Sequence, residues 1–148
     1  MTTTIRALSI RQPWAWLIVH GHKPVENRTW PTAHRGDTLI HAGKLFDADG
    51  LASVLEYFPH LRAEMPQQYE LGGIVGIAQV VNCVQSHASP WFTGPYGHVM
   101  YGARALPFVP HRGELGYFNV PMSAALHAAM HGVTPEQAEA AGQERLFG

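Results

Sequence analysis

Short apolar runs of two-residue period alternate with two stretches of helical period, and that alternation sets out most of the secondary structure. Arg6 to Ile10 has the pattern of a first strand; Gln12-Pro13 then opens a helix with proline at its favoured first position, and Gly21 ends it. On that helix Trp14, Leu17 and Ile18 share a face, whereas Trp16 lies about 200° from Trp14 at about 100° per residue. The two indoles cannot serve one core, so one of them lines a groove or packs beneath another segment. Residues 25–30 read as extended, which places Glu26, Arg28 and Trp30 on one side and Val25 and Asn27 on the other. Arg35-Gly36-Asp37 is a turn, followed by a strand from Thr38 to Ala42 that ends at Gly43-Lys44. Leu51, Val54, Leu55 and Phe58 keep helical spacing from Asp49 to Phe58, where Pro59 stops the helix and a polar connection follows.

Residues Gly72 to Val84 are apolar on both alternating sets, as a central strand covered on both faces requires. Its Gly76 and Ala78 permit close approach by a neighbouring backbone or a ligand. Gln85 to Gly97 reads as a long loop whose aromatics, including Trp91 and Tyr96, form either a hydrophobic lid or a base-stacking surface. Strands are predicted from Val99 to Val109 and from Gly116 to Val120, separated by a turn at His111 to Glu114. An alanine-rich helix from Pro121 to His131 and a capping box at Thr134-Pro-Glu-Gln137 make residues 121–148 a C-terminal helical appendage packed on the same domain. About five or six strands with flanking helices predict an α+β fold, a small mixed β-barrel.

Composition narrows this further. With 148 residues, 46% of them hydrophobic, the chain can bury a real core as one domain without metal or disulfide staples. A single cysteine, Cys83, excludes an intramolecular disulfide and a four-cysteine zinc site, and embedded in an apolar strand it reads as inert. With no secretory h-region and no membrane-length apolar run, the expectation is a cytoplasmic, unanchored protein. The net charge of -1 hides an asymmetry: residues 1–44 carry six cations against Glu26 and Asp37, while residues 45–148 carry four arginines against nine acids. Both lysines, Lys23 and Lys44, belong to the basic part and stand near glycines. Such a basic pole suits a local anionic ligand better than long duplex tracking, which makes a nucleotide or single-stranded RNA the default partner.

The candidate chemistry gathers around Gly21-x-Lys23-x-x-Glu26-x-Arg28. Lys23 can hold a phosphate as a point charge or donate a proton; Glu26 and Arg28 either pair structurally or hold a ligand site open. Arg11 and Lys44 are second-line phosphate contacts. Gln12 reads a base edge or caps the helix, Trp14 supports the core or stacks, and Trp91 and Tyr96 are candidates for stacking. His41, mid-strand, reads as a satisfied core histidine, and the other histidines as dispersed surface groups. His127 and His131 are four apart on one helix face but lack the zinc-protease glutamate and a nearby third ligand, so no metal is expected. Phosphate-loop, dinucleotide and serine-nucleophile signatures are missing, and no cofactor is expected.

Gln12-Pro-Trp-Ala15, the lysine–glutamate–arginine segment, Ile40-His-Ala-Gly-Lys44, Gly73-Ile-Val-Gly-Ile77 and Arg112-Gly-Glu-Leu-Gly116 together resemble the ASCH domain family, in the form of its small bacterial members. The resemblance covers roughly residues 5–120 and makes 1–120 the ASCH, PUA-like domain. It implies a PUA-like β-barrel with a cleft beside the first helix, and RNA or nucleotide recognition there. Lys23 matches the family's motif lysine, Glu26 its acidic position and Arg28 its closing arginine. Some bacterial relatives hydrolyse the acetyl amide of N4-acetylcytidine, others are credited with ribonuclease activity, and eukaryotic relatives are modules of transcription coactivators. The amidohydrolase branch has a threonine where this chain has Glu26, so its hydroxyl nucleophile is absent; a Lys23/Glu26 acid–base pair acting on water is the hydrolytic alternative. The leading expectation is an RNA- or nucleotide-binding domain that takes a single-stranded or modified nucleotide. A hydrolase of RNA or a modified nucleoside comes second, and a protein-interaction module using the aromatic loop third.

Overall fold

Two hydrophobic clusters on opposite faces of one sheet hold the fold together, and both follow from the period-two patterning of the strands. The computed structural model describes residues 3–132. Its elements are β1 (Thr4–Gln12), α1 (Trp14–Val19), β2 (Val25–Arg28), β3 (Gly36–Phe46), α2 (Ala48–Tyr57), a 3₁₀ turn (Pro59–Ala63), β4 (Gly73–Val84), β5 (Tyr96–Pro110), β6 (Tyr117–Pro121) and α3 (Ala124–His131). They form a six-stranded mixed sheet in the order β2-β5-β4-β3-β1-β6. Only β1 and β3 run parallel; every other neighbouring pair is antiparallel.

On one face Leu8 and Ile10 of β1, Ile40 and Ala42 of β3, and Val75, Ala78 and Val80 of β4 pack against Ala15, Ile18 and Val19 of α1. On the other, Ala7, Leu39, Ile74, Ile77, Leu106, Phe118 and Val120 pack against Leu126 of α3. Each large aliphatic buried this way contributes about 1.5–3 kcal/mol. A third cluster of Leu17, Val54 and Leu61, flanked by Trp14, Trp16, Phe58 and Trp91, fastens α2 and the 3₁₀ turn to α1.

The α+β architecture is as expected, but the sheet is open. The edge strands β2 and β6 have four and five residues and are not hydrogen-bonded to each other, so the ladder does not close into a barrel. Three local expectations also shift. Gln12 still belongs to β1, pairing with Phe46, so the helix begins at Trp14, one residue after Pro13. Tyr96 is not in the loop but opens β5 opposite Arg28. Cys83 is half-buried where the cover of β4 fades, beside Val81 at 48% exposure, and so is not embedded in the core. Ser123 caps α3 by accepting a hydrogen bond from the Leu126 amide. The predicted helix starting at Thr134 lies outside the described residues. Among the described residues no helix is long and apolar enough to cross a membrane.

Gly76 determines how closely α1 sits on the sheet. A Cβ there would collide with Val19 Cγ1 and lie 2.7 Å from the Arg104 carbonyl oxygen. Gly76→Ala is expected to cost about 1–3 kcal/mol in urea unfolding by overpacking. Adding Val19→Ala should recover part of that loss, as a non-additive double-mutant cycle.

Candidate functional site

A cleft of about 1400 Å³ opens beyond the carboxyl ends of the parallel pair β1 and β3, the place where ligands enter sheets with parallel strands. Its walls come from five parts of the chain: 9–30, 41–58, Gly72 before β4, the aromatic loop at 90–94, and the turn at 111–116.

The charged segment supplies one wall. After α1 the chain turns at Gly21, whose φ of 80° is a conformation glycine adopts without strain, and the amides of His22 and Lys23 both bond the Leu17 carbonyl at 2.9 and 3.0 Å. Lys23 then points inward: its Nζ donates to the Val25 carbonyl at 2.8 Å and to Glu26 Oε1 at 3.0 Å. Arg28 Nη2 donates to Glu26 Oε2 at 3.1 Å and to the Ser9 carbonyl at 2.8 Å. Lys23 is only 4% exposed and Glu26 7%, so these two charges are a buried pair at the cleft wall and not solvated turn residues, with half-buried Arg28 beside them. Burial pushes the Glu26 carboxyl upward, but the charges and hydrogen bonds of Lys23 and Arg28 together outweigh it and hold its pKa below the ordinary 4.5.

Indoles frame this cluster. Lys23 Nζ lies 5.5 Å from the Trp14 ring and Arg28 Cζ 5.7 Å from that of Trp30. Trp14 lines the cleft, and its Nε1 donates to Asp47 Oδ2 at 2.9 Å. Asp47 Oδ1 in turn caps α2 by accepting from the Gly50 amide at 2.8 Å. Trp16 faces elsewhere and stacks on His20 and His22. Trp91 also lines the cleft, with one face taken by Phe58 in a stack at 4.2 Å. Asn27, turned away from Glu26 by strand alternation, secures this loop: its Nδ2 donates to the Trp91 carbonyl, and its Oδ1 accepts from the Thr93 and Gly94 amides.

Arg11 and Lys44 line the cleft as exposed cations. Two predicted ligand contacts do not line it. Gln12 is 2% exposed; its Oε1 accepts from the Trp16 amide at 2.8 Å and its Nε2 donates to the Glu70 carbonyl, so it caps α1 and ties it to the 70s connection. Tyr96 sits on β5 away from the cleft lining, because the strand begins earlier than the loop-like composition suggests.

Sequence reasoning assigned no role to Ser9 or to the 111–116 turn. Ser9 and His41 are register partners across the parallel β1–β3 pair. The Ser9 hydroxyl donates to His41 Nδ1 at 2.9 Å, and His41 Nε2–H donates to the His111 carbonyl at 2.7 Å. His41 is thus the satisfied, buried histidine its mid-strand position predicts, and burial lowers its pKa. His98 repeats the arrangement behind Trp30, donating to the Trp30 carbonyl and accepting from the Tyr117 hydroxyl. Arg112 and Glu114 add charge at the rim. The advance signals for that turn were the break between strands at His111 to Glu114 and the Arg112–Gly116 motif. Among the described residues no group of three or more His, Cys, Asp or Glu side chains is placed to hold a metal ion.

Fold and site together define a small α+β domain with a basic, aromatic-walled cleft at the ends of a parallel strand pair. A family model described as the ASCH domain matches residues 8–120, and the chain belongs to that family; ASCH domains in general bind RNA. The chain is 37% identical over 81 residues to activating signal cointegrator 1 of Mus musculus and 36% identical over 81 residues to that of Homo sapiens. Each match covers 52% of this chain and 14% of the relative, so the chain spans only a small part of the length of these proteins.

Because the Glu26 pKa is depressed in the folded state, its contribution to stability is fully present above the unfolded value near 4.5 and is lost as pH falls through the folded value. Urea midpoints measured at about pH 6 and about pH 3 should therefore fall more in the wild type than in Glu26→Gln, which has no carboxyl to protonate at that site.

Proposed function

We propose that the cleft binds single-stranded RNA, holding one nucleotide against the Lys23–Glu26–Arg28 cluster while flanking phosphates meet the rim. The observation that carries this reading is the charge of the lining: Arg11, Lys23, Arg28, Lys44 and Arg112 against Glu26 and Glu114, a balance of +3 on a chain of net charge -1. Phosphates favour such a field, and the indole faces of Trp14, Trp30 and Trp91 beside it suit base stacking, worth about 1–3 kcal/mol per base. The volume, about 1400 Å³, exceeds the range of about 300–1,000 Å³ common for small-molecule pockets, which favours a strand over a free nucleoside. General RNA binding by ASCH domains supports the same reading.

Hydrolysis by a Lys23/Glu26 acid–base pair is the weaker reading. Glu26, held ionised between two cations with its pKa lowered, is a poor proton acceptor near neutral pH, where a general base works best with a pKa close to the working pH. A protein-interaction role draws on the exposed Leu45, Tyr57 and Leu115 at the rim but leaves the basic lining without purpose.

Lys23 is a poor first target for mutation, since removing it would strand the buried Glu26 carboxylate beside Arg28 alone. Arg11, Lys44 and Arg112 are exposed, and their joint replacement by alanine should leave the melting temperature almost unchanged. With labelled single-stranded RNA, fluorescence anisotropy across a salt series should show weaker binding and a salt slope shallower by about 2, at about 0.7 per phosphate contact. Unaltered affinity and slope in the triple variant would exclude these cations as phosphate contacts.

A further inference from the structure

We propose that Ser9 is a nucleophile activated by His41, and that the cleft thereby carries an acyl-transfer activity toward a carboxylic ester or amide borne by an anionic ligand. The pair has the elements such chemistry needs. The Ser9 hydroxyl already donates to His41 Nδ1 at 2.9 Å, which puts a proton acceptor on the nucleophile. His41 Nε2–H is committed to the His111 carbonyl at 2.7 Å, so the tautomer is fixed with the lone pair toward Ser9. That carbonyl occupies the orienting place that a carboxylate fills in a serine–histidine–aspartate triad. The register pairing of Ser9 with His41 builds the arrangement into the rigid centre of the sheet.

Access agrees with this role. His41 is 2% exposed and shielded from bulk water, whereas Ser9 is half-buried and lines the cleft. Two glycines pack against the pair, and a side chain at either would crowd it: a Cβ on Gly43 would lie 3.3 Å from Ser9 Oγ, and one on Gly113 would lie 3.2 Å from it and 2.8 Å from His41 Cε1. Arg28 donates to the Ser9 carbonyl at 2.8 Å, which ties the backbone of the nucleophile to the charged cleft wall.

In the step itself, Ser9 Oγ bonds to the acyl carbon while its proton passes to His41 Nδ1. The tetrahedral adduct collapses by breaking the bond to the alcohol or amine, which takes that proton from His41. Water then attacks the acyl-serine with His41 again accepting the proton, and the carboxylic acid and free Ser9 result. The anionic character of the carrier rests on the RNA-binding reading of the cleft; the nucleophile itself does not.

The full chain, treated with a fluorophosphonate probe and mapped by peptide mass spectrometry, should carry the adduct on Ser9. It should also hydrolyse p-nitrophenyl acetate at a rate that rises with pH through an apparent pKa below 6.5, the lowered value of His41. Ser9→Ala should abolish both signals while the protein stays folded by circular dichroism, its melting temperature lowered because His41 Nδ1 loses its partner. His41→Asn should slow labelling at least about 100-fold, the lower range for loss of a general base. A folded wild-type protein that leaves Ser9 unlabelled, or a Ser9→Ala variant that hydrolyses the ester at the wild-type rate, overturns the proposal. If Ser9 is labelled but no RNA binds, the nucleophile stands and the RNA reading falls; if RNA binds and Ser9 stays unlabelled, the reverse holds.

Discussion

A carboxylate removed from water must be met by positive charge and hydrogen-bond donors, and Glu26 imposes that demand on everything around it. Lys23 reaches it from the turn after α1, and Arg28 from two residues along β2. Because Arg28 also holds the Ser9 carbonyl, the same cluster joins the edge strand β2 to the centre of the sheet. Removing one member of such a buried set typically costs about 3–5 kcal/mol. The cluster therefore fixes the shape of the cleft before any ligand arrives. The adaptable part of the field lies at the rim, in Arg11, Lys44 and Arg112.

What the sequence made legible was local. Period-two runs located the central strands, and the alternation after Val25 put Glu26 and Arg28 on a common side. The spacing of the motif identified a cleft wall without indicating that its charges are buried, because burial depends on which segments close over the turn. Long-range pairings were not legible. Ser9 and His41 are 32 residues apart and meet only because β1 and β3 pair in parallel in that register. Asn27 holds a loop 64 to 67 residues away, a contact that no periodicity encodes. Tyr96 failed for a related reason: the Gly94-Pro95 composition reads as loop, while pairing with Arg28 recruits the next residue into β5.

His41 and His98 share one solution to the burial of an imidazole. Each is neutral, gives its Nε2–H to a backbone carbonyl and takes a hydroxyl proton at Nδ1, with burial lowering its pKa. The hydroxyl partner separates their roles. Tyr117 packs with Trp30 and His98 behind the cleft wall, whereas Ser9 borders the cleft itself. The expectation that the histidines other than His41 would be dispersed surface groups omits His98, because its neighbours in sequence do not reveal a hydroxyl supplied by another strand.

The five segments that wall the cleft lie far apart in the chain and come together only when all six strands are in register. Occupancy of the cleft is therefore coupled thermodynamically to the cooperative unfolding of the sheet as a whole. A ligand that binds only the native state adds RT ln(1 + [L]/Kd) to global stability, about 2.7 kcal/mol at a hundredfold excess over Kd. Amide hydrogens deep in the central strands would register that gain together with those of the loops, so ligand occupancy acts on the lifetime of the entire fold.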